Sequence, residues 1–243
     1  IYANDDNAQH YFSKHYVNSE TPIVFSGVNR DPSEYDFVGA SNVTGVVEHE
    51  HFVATLRLLQ RIQPGIRRIA VIVDRDPTWK GVMARMRYNQ RAVSDVEISD
   101  WILADTYADY QQRVLALQTE VDALAVLGVF NLVDDQGTNV DYEEVLRWTT
   151  ENSGLPDFSY WQSRVQRGTL CAVKVSGFEQ GRQAGLLARQ ILEYGVNPSS
   201  LPVRVSSQGR PAVSLARARK LGINIDAELL LNTDVVNDFA WNR

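Results

Sequence analysis

The stretch Ile69-Ala70-Val71-Ile72-Val73-Asp74-Arg75-Asp76-Pro77 decides the fold. Five apolar residues in a row, four of them β-branched, leave no polar alternation for a solvent-facing side. Such a run belongs to a strand covered on both faces, as in a parallel sheet flanked by helices. The polar turn that follows ends the strand, and Thr78 is placed to cap a helix running to about Val93.

Working outward, the pattern repeats. Phe52, Leu56, Leu59 and Ile62 recur at helical spacing and predict a helix over His51–Ile62 that stops at Pro64-Gly65. Ile1–Ala3 reads as a strand fragment. Ile23–Val28 reads as a buried strand, closed by Gly27 and the turn Asn29-Arg30-Asp31-Pro32. Further strands are expected at Val96–Leu103, Ala123–Leu127 and Leu170–Val175, and helices at Tyr107–Glu120, Val140–Glu151 and Phe178–Tyr194. Strands alternating with helices imply βαβ units, hence an α/β protein with parallel sheets. In open sheets of this kind ligands lie beyond the carboxyl ends of the strands. The informative loops are therefore Asn4–Asn7, Ser26–Asp31, Asp74–Trp79, Gly128–Asn131 and Ser176–Phe178.

Composition narrows the function classes. The 243 residues are 44% hydrophobic and 22% charged, with a net charge of −6, as in ordinary globular proteins. No basic track supports nucleic-acid binding, and Arg210–Lys220 reads as a helix with a charged face. No apolar run is long enough to span a bilayer, so no direct membrane insertion is expected in this segment. The start at Ile1 shows neither the charged region nor the cleavage site of a signal peptide. The single cysteine, Cys171, sits in an apolar run and reads as a buried structural thiol. His49-Glu50-His51 lacks a third metal ligand nearby, and Asp134–Asn139 lacks the ligand alternation of a calcium loop. Nucleophile-elbow, P-loop, HExxH and GxGxxG motifs are all missing, so neither catalytic residues, a metal nor a cofactor is expected.

Several segments together carry a resemblance. Thr21-Pro22-Ile23-Val24-Phe25-Ser26-Gly27-Val28-Asn29 is followed by Asn42-Val43-Thr44-Gly45-Val46, then Thr55-Leu56, Leu58-Leu59 and Pro64 ahead of Arg67–Ile72. Later come Gly168-Thr169-Leu170, Gly181–Gly185, Leu201-Pro202-Val203 and Ala218–Ile223. In this order they resemble the ABC-transporter substrate-binding family of the tryptophan and tyrosine type, with a type I periplasmic-binding fold, and related extracytoplasmic domains of sensor kinases. The resemblance implies two Rossmann-like lobes that close on a ligand. It assigns residues 1–45 and 174–203 to a partial first lobe, and 46–173 and 204–243 to the second. About two βα units expected ahead of Ile1 are missing from this segment, and we read them as preceding it. The implied role is a periplasmic or extracellular bacterial protein that captures a small polar or aromatic-containing molecule in an inter-lobe cleft. Its implied partner is a membrane permease or a receptor. A sensor domain of a receptor kinase and an enzyme on a doubly wound scaffold are the alternatives.

The resemblance also points to ligand-binding positions. In the first lobe these are Asn4 and Asp5, with Asp6 or Asn7 capping the adjacent helix, then Ser26 and Asn29; Glu48, at the start of the second, could supply an acid from another loop. In the second they are Asp74, Arg75, Phe130 and Trp161; the Arg75 guanidinium would either recognise a carboxylate or form a surface pair. Ser176 and Phe178 complete the set. Ser176 stands where amino-acid-binding relatives carry an Asp, which puts an α-amino-acid ligand in doubt because an ammonium group wants a carboxylate partner.

Overall fold

The computed structural model describes residues 1–76, 78–205 and 209–242. Along the chain the first elements are β1 (Tyr2–Asn4), α1 (Asp6–Tyr11), β2 (Ile23–Val28), β3 (Val43–Val47) and α2 (Phe52–Ile62). Then come β4 (Arg68–Val73), α3 (Thr78–Asn89), β5 (Glu97–Leu103), α4 (Tyr107–Leu117), β6 (Ala123–Val126) and α5 (Tyr142–Asn152). The last part holds β7 (Asp157–Phe158), α6 (Gln162–Gln166), β8 (Cys171–Lys174), α7 (Gly177–Tyr194), β9 (Arg204–Val205), β10 (Arg210–Ser214), α8 (Leu215–Leu221), α9 (Ala227–Leu231) and β11 (Asp234–Val236). Two compact units result. Unit 1 takes Ile1–Glu50, Lys80–Ala84 and Val175–Gln208; unit 2 takes His51–Trp79, Arg85–Lys174 and Gly209–Arg243.

Unit 1 is built on a parallel sheet in the order β1-β2-β3-β9. Successive residues of a strand face opposite sides, and β2 uses both. Ile23, Phe25 and Val28 pack with Tyr35, Phe37, Val43 and Val47 on one face. Val24 and Val46 pack on the other against Ala184, Leu187 and Ile191 of α7. Each such side chain contributes about 1.5–3 kcal/mol when fully buried, so the apolar reading of this strand has an energetic basis on both sides.

Unit 2 holds a seven-stranded sheet in the order β11-β10-β8-β7-β6-β4-β5. Ile69 to Val73 are all buried. Ala70 and Ile72 join Leu124 and Val126 of β6 in a core with Tyr110, Val114 and Leu117 of α4 and Val145 and Leu146 of α5. The sheet is parallel except where β10 runs antiparallel to β8, with Arg210 opposite Lys174. The departure from an all-parallel sheet has a simple cause. The chain leaves unit 2 at the end of β8 and re-enters it at Gly209, so the returning strand lies beside the departing one and runs the other way. It also corrects the reading of Arg210–Lys220 as one helix: the first half is β10, and the helix begins only at Leu215, capped by Ser214. The end of the predicted helix toward Val93 is a 3-10 turn over Gln90–Val93.

A buried ion pair ties three elements of unit 2 together. Arg217, on α8, donates to Asp157 Oδ2 at 3.0 Å, to Thr150 O at 2.8 Å and to Leu155 O at 3.1 Å. Asp157, at the start of β7, accepts from Leu170 N at 2.6 Å through its other oxygen. The guanidinium thus closes the carboxyl end of α5, whose last carbonyls have no helical partner. Both side chains are buried, so removing either leaves the other charge unpaired in a dry site. Asp157→Ala is expected to cost roughly 3–5 kcal/mol, or about 6 °C or more in the melting temperature followed by circular dichroism. A shift below about 2 °C would show that the pair is not holding these elements.

Candidate loops at the carboxyl ends of the strands

In unit 1 the loops are pinned from beneath. Ser26 is buried, and its hydroxyl meets the Tyr2 hydroxyl at 2.7 Å and donates to Asn4 Oδ1 at 2.9 Å. Asp5 caps α1 by accepting from Asn7 N at 3.1 Å, while its own N–H donates to Ser26 O at 3.0 Å. The cap is therefore Asp5, not Asp6 or Asn7. Asp6 turns inward instead. Its carboxylate accepts from Asn29 N at 3.0 Å, Arg30 N at 3.2 Å and the Tyr35 hydroxyl at 2.6 Å. Burial first, and then this carboxylate, push the Tyr35 pKa upward.

Gly27 adopts φ +66°, and a Cβ there would lie 2.8 Å from Asn4 Oδ1. Glycine fits because the backbone is left-handed and the neighbouring strand end comes close. The Gly27 N–H donates to Gln180 Oε1 at 2.9 Å, and Gln180 Nε2 donates to Glu48 Oε2 at 2.7 Å. Gln180, in the first turn of α7, thereby joins the ends of β2 and β3. Ser176 caps the same helix by accepting from Glu179 N at 3.2 Å. Phe178, one residue inside α7, is 81% exposed.

In unit 2 the organising group is Asp74, buried at the end of β4. One oxygen accepts from Asp76 N at 3.0 Å and Trp79 Nε1 at 2.6 Å; the other accepts from Phe130 N at 2.8 Å and Asn131 N at 3.0 Å. Both oxygens are thus occupied within unit 2, which makes Asp74 part of the frame. Gly128 allows this closeness, since a Cβ there would lie 2.4 Å from Asp74 N and from Trp79 Nε1. Arg75 is exposed and pairs with Asp105, whose hydrogen bond and charge raise the guanidinium pKa. Of the two readings offered for Arg75, the surface pair is the one present.

The aromatic groups cluster on the same unit. The half-buried Trp161 packs edge-on against Trp79 at 6.1 Å and Tyr160 at 5.9 Å between ring centroids. Phe130 is 46% exposed, packs against Tyr142 at 5.2 Å, and lies 4.4 Å from the buried Arg164 guanidinium. Sequence reasoning took Asp6 only as a possible cap and passed over Trp79, Tyr142, Arg164 and Gln180. Trp79 and Asp6 stood in loops already singled out. Tyr142, Arg164 and Gln180 lie inside helices, where no local signal marks them. His49-Glu50-His51 forms no metal group, and none of three or more ligating residues exists among the described residues. Burial pushes the Cys171 thiol pKa well up, so it stays protonated and inert. No helix among the described residues is long and apolar enough to cross a membrane.

Comparison with known proteins places this architecture in a class of binding proteins. The model of the ABC transporter substrate binding protein family matches residues 6–237, and the chain belongs to that family, whose members bind substrates and are not enzymes. Among solved structures, an ABC domain from Streptococcus pneumonia in complex with L-Trp is 19% identical with a TM-score of 0.74, over 98% of this chain and 78% of that one. A conserved domain protein from Vibrio cholerae is 21% identical with a TM-score of 0.75, over 97% and 77%. A ligand-free, open substrate binding protein with adhesive properties from Clostridium difficile is 21% identical with a TM-score of 0.72, over 98% and 78%. These likenesses show the shared fold. No curated protein matches the chain in sequence.

The frame role of Asp74 has a direct consequence. All four of its partners are N–H donors, and an amide in its place keeps one oxygen and adds two donors of its own. Asp74→Asn is expected to lower stability by about 1–3 kcal/mol in urea denaturation. An unchanged midpoint would contradict the arrangement.

Proposed function

We propose that this chain is an extracytoplasmic solute-binding protein, held in the periplasm or at the outer cell surface, that delivers a small molecule to the permease of an ABC importer. Family membership supports the solute-binding role. The observation that carries the reading is the state of the unit 2 loops. An exposed Phe130 stands at the carboxyl end of β6 on a backbone held by Asp74, and a half-buried Trp161 stands at that of β7, packed on Trp79, whose indole donates to the same carboxylate. Flat apolar surface beside fixed polar groups is the usual make-up of a small-molecule site. Asn4, Asp5, Ser26, Asn29 and Glu48 are the candidate contacts from unit 1, with Phe178 at the start of α7. Asp74 and Arg75 act by shaping the loops.

The ligand we propose is a small polar molecule with a flat or apolar portion, and not a zwitterionic aromatic amino acid. The reason lies at Ser176. Its hydroxyl caps α7 through Glu179 N, so this position offers an ammonium group no negative charge. A charge-assisted hydrogen bond of that kind contributes about 1.5–3 kcal/mol, and its loss weakens binding about ten- to a hundredfold. Native mass spectrometry of the purified protein tests the binding role by showing whether a small molecule copurifies. Calorimetry with tryptophan, tyrosine and phenylalanine tests the ligand class. We expect no submicromolar affinity for any of the three; such affinity would mean that Asp5, Glu48 or another acid supplies the ammonium partner.

A further inference from the structure

Two arginines of unit 2 are fully buried, and they differ in one respect. Arg217 faces a carboxylate and two carbonyls. Arg164, 1% exposed, donates through Nη2 to Leu127 O at 3.1 Å, while its buried Nη1 has no hydrogen-bond partner. It ion-pairs with no carboxylate among the described residues. The Asp74 charge acts on it, but both Asp74 oxygens already accept from N–H groups. A buried guanidinium without a counter-ion is costly and is uncommon unless something else pairs with it.

The surroundings say where that partner would come from. The guanidinium is bonded to the carbonyl at the carboxyl end of β6 and lies 4.4 Å from the Phe130 ring and 5.1 Å from the Tyr142 ring. Phe130 is 46% exposed, so the residue over the cation is itself open to solvent. Two more buried polar atoms without a partner, Ser159 Oγ and Gln162 Oε1, belong to the same short segment after β7. Burial, the largest influence, lowers the Arg164 pKa to about 10, which leaves it charged at neutral pH.

We propose that Arg164 is the anion-recognition residue of unit 2, and that its guanidinium receives a carboxylate of the ligand when the Phe130 ring turns aside. The proposal rests on the solute-binding reading and narrows its substrate class. With Ser176 in place of an acid, the ligand is an organic acid with a flat apolar portion and no ammonium group. A carboxylate suits the site because its two oxygens match the planar fork of a guanidinium. The other nearby cation, Arg167, is taken by Glu143 at 2.6 Å.

The test is a calorimetric titration of the chain with four matched probes: 3-phenylpropionate, 3-phenylpropionamide, 2-phenylethylamine and phenylalanine. The carboxylate is expected to bind at least about tenfold more tightly than the amide, and the amine more weakly still. In Arg164→Met the affinity for the carboxylate should fall to that for the amide, with the amide itself unchanged. A purely structural role for Arg164 would depress both together. Arg164→Lys keeps the charge without the fork, and should retain a weakened carboxylate preference if Met is poorly folded by circular dichroism. Equal binding of carboxylate and amide, or a preference that survives in Arg164→Met, overturns the proposal and leaves the solute-binding reading standing. If no probe binds, the organic-acid proposal fails, while a copurifying solute seen by native mass spectrometry still upholds the binding role.

Discussion

The carboxylate of Asp74, buried beneath four N–H donors, is the constraint on which the rest of unit 2's loop face depends. One of its donors comes from the loop after β4, one from Trp79 at the start of α3, and two from the loop after β6. Neither loop can move without stripping a buried acceptor of partners. The backbone under Phe130 and Asn131 is therefore set before any ligand arrives. Such preorganisation spares a ligand the cost of ordering loops. Gly128 is part of the same device, because any side chain there would strike Asp74 N and the Trp79 indole.

Unit 1 reaches a similar end with different parts. Asp6 gathers two backbone N–H groups and the Tyr35 hydroxyl, and Gln180 bridges Gly27 to Glu48. In both units a polar side chain buried at the sheet's carboxyl edge satisfies the amides of a tight loop. Buried polar groups are held to their partners more firmly than exposed ones, since the alternative is an unsatisfied group in a dry site. The side chains that remain on the surface, such as Asn4, Asp5 and Phe130, are carried at these fixed strand ends, and Phe178 at the start of α7.

Much of this was legible in the sequence, for identifiable reasons. The run Ile69–Val73 announced a strand covered on both faces, and it is one. The alternation of such runs with amphipathic stretches gave the α/β class, and the ordered motifs gave the family. The antiparallel return of β10 was not legible, because strand direction follows from where the chain re-enters a unit, and residues near Arg210 carry no mark of that. Among loop residues the sequence located the positions but not their orientation. Asp74 and Asp5 look equivalent as acids after strands, yet one is enclosed by donors and the other is an exposed cap. Arg164 was illegible for a further reason. A basic residue amid polar neighbours reads as solvated, and only the packing of Phe130 and Tyr142 over it reveals a buried cation.

The central claim is the proposal that the loop residues named on each unit take part in holding a small solute. Hydrogen exchange followed by mass spectrometry, on the protein with and without the solute recovered from it, addresses this claim most directly. The account predicts slowed exchange in 128–131 and 159–164 of unit 2 and in 26–29 of unit 1, with the outer helices α4 and α5 unchanged. Protection confined to those helices, or spread evenly over the chain, would contradict it.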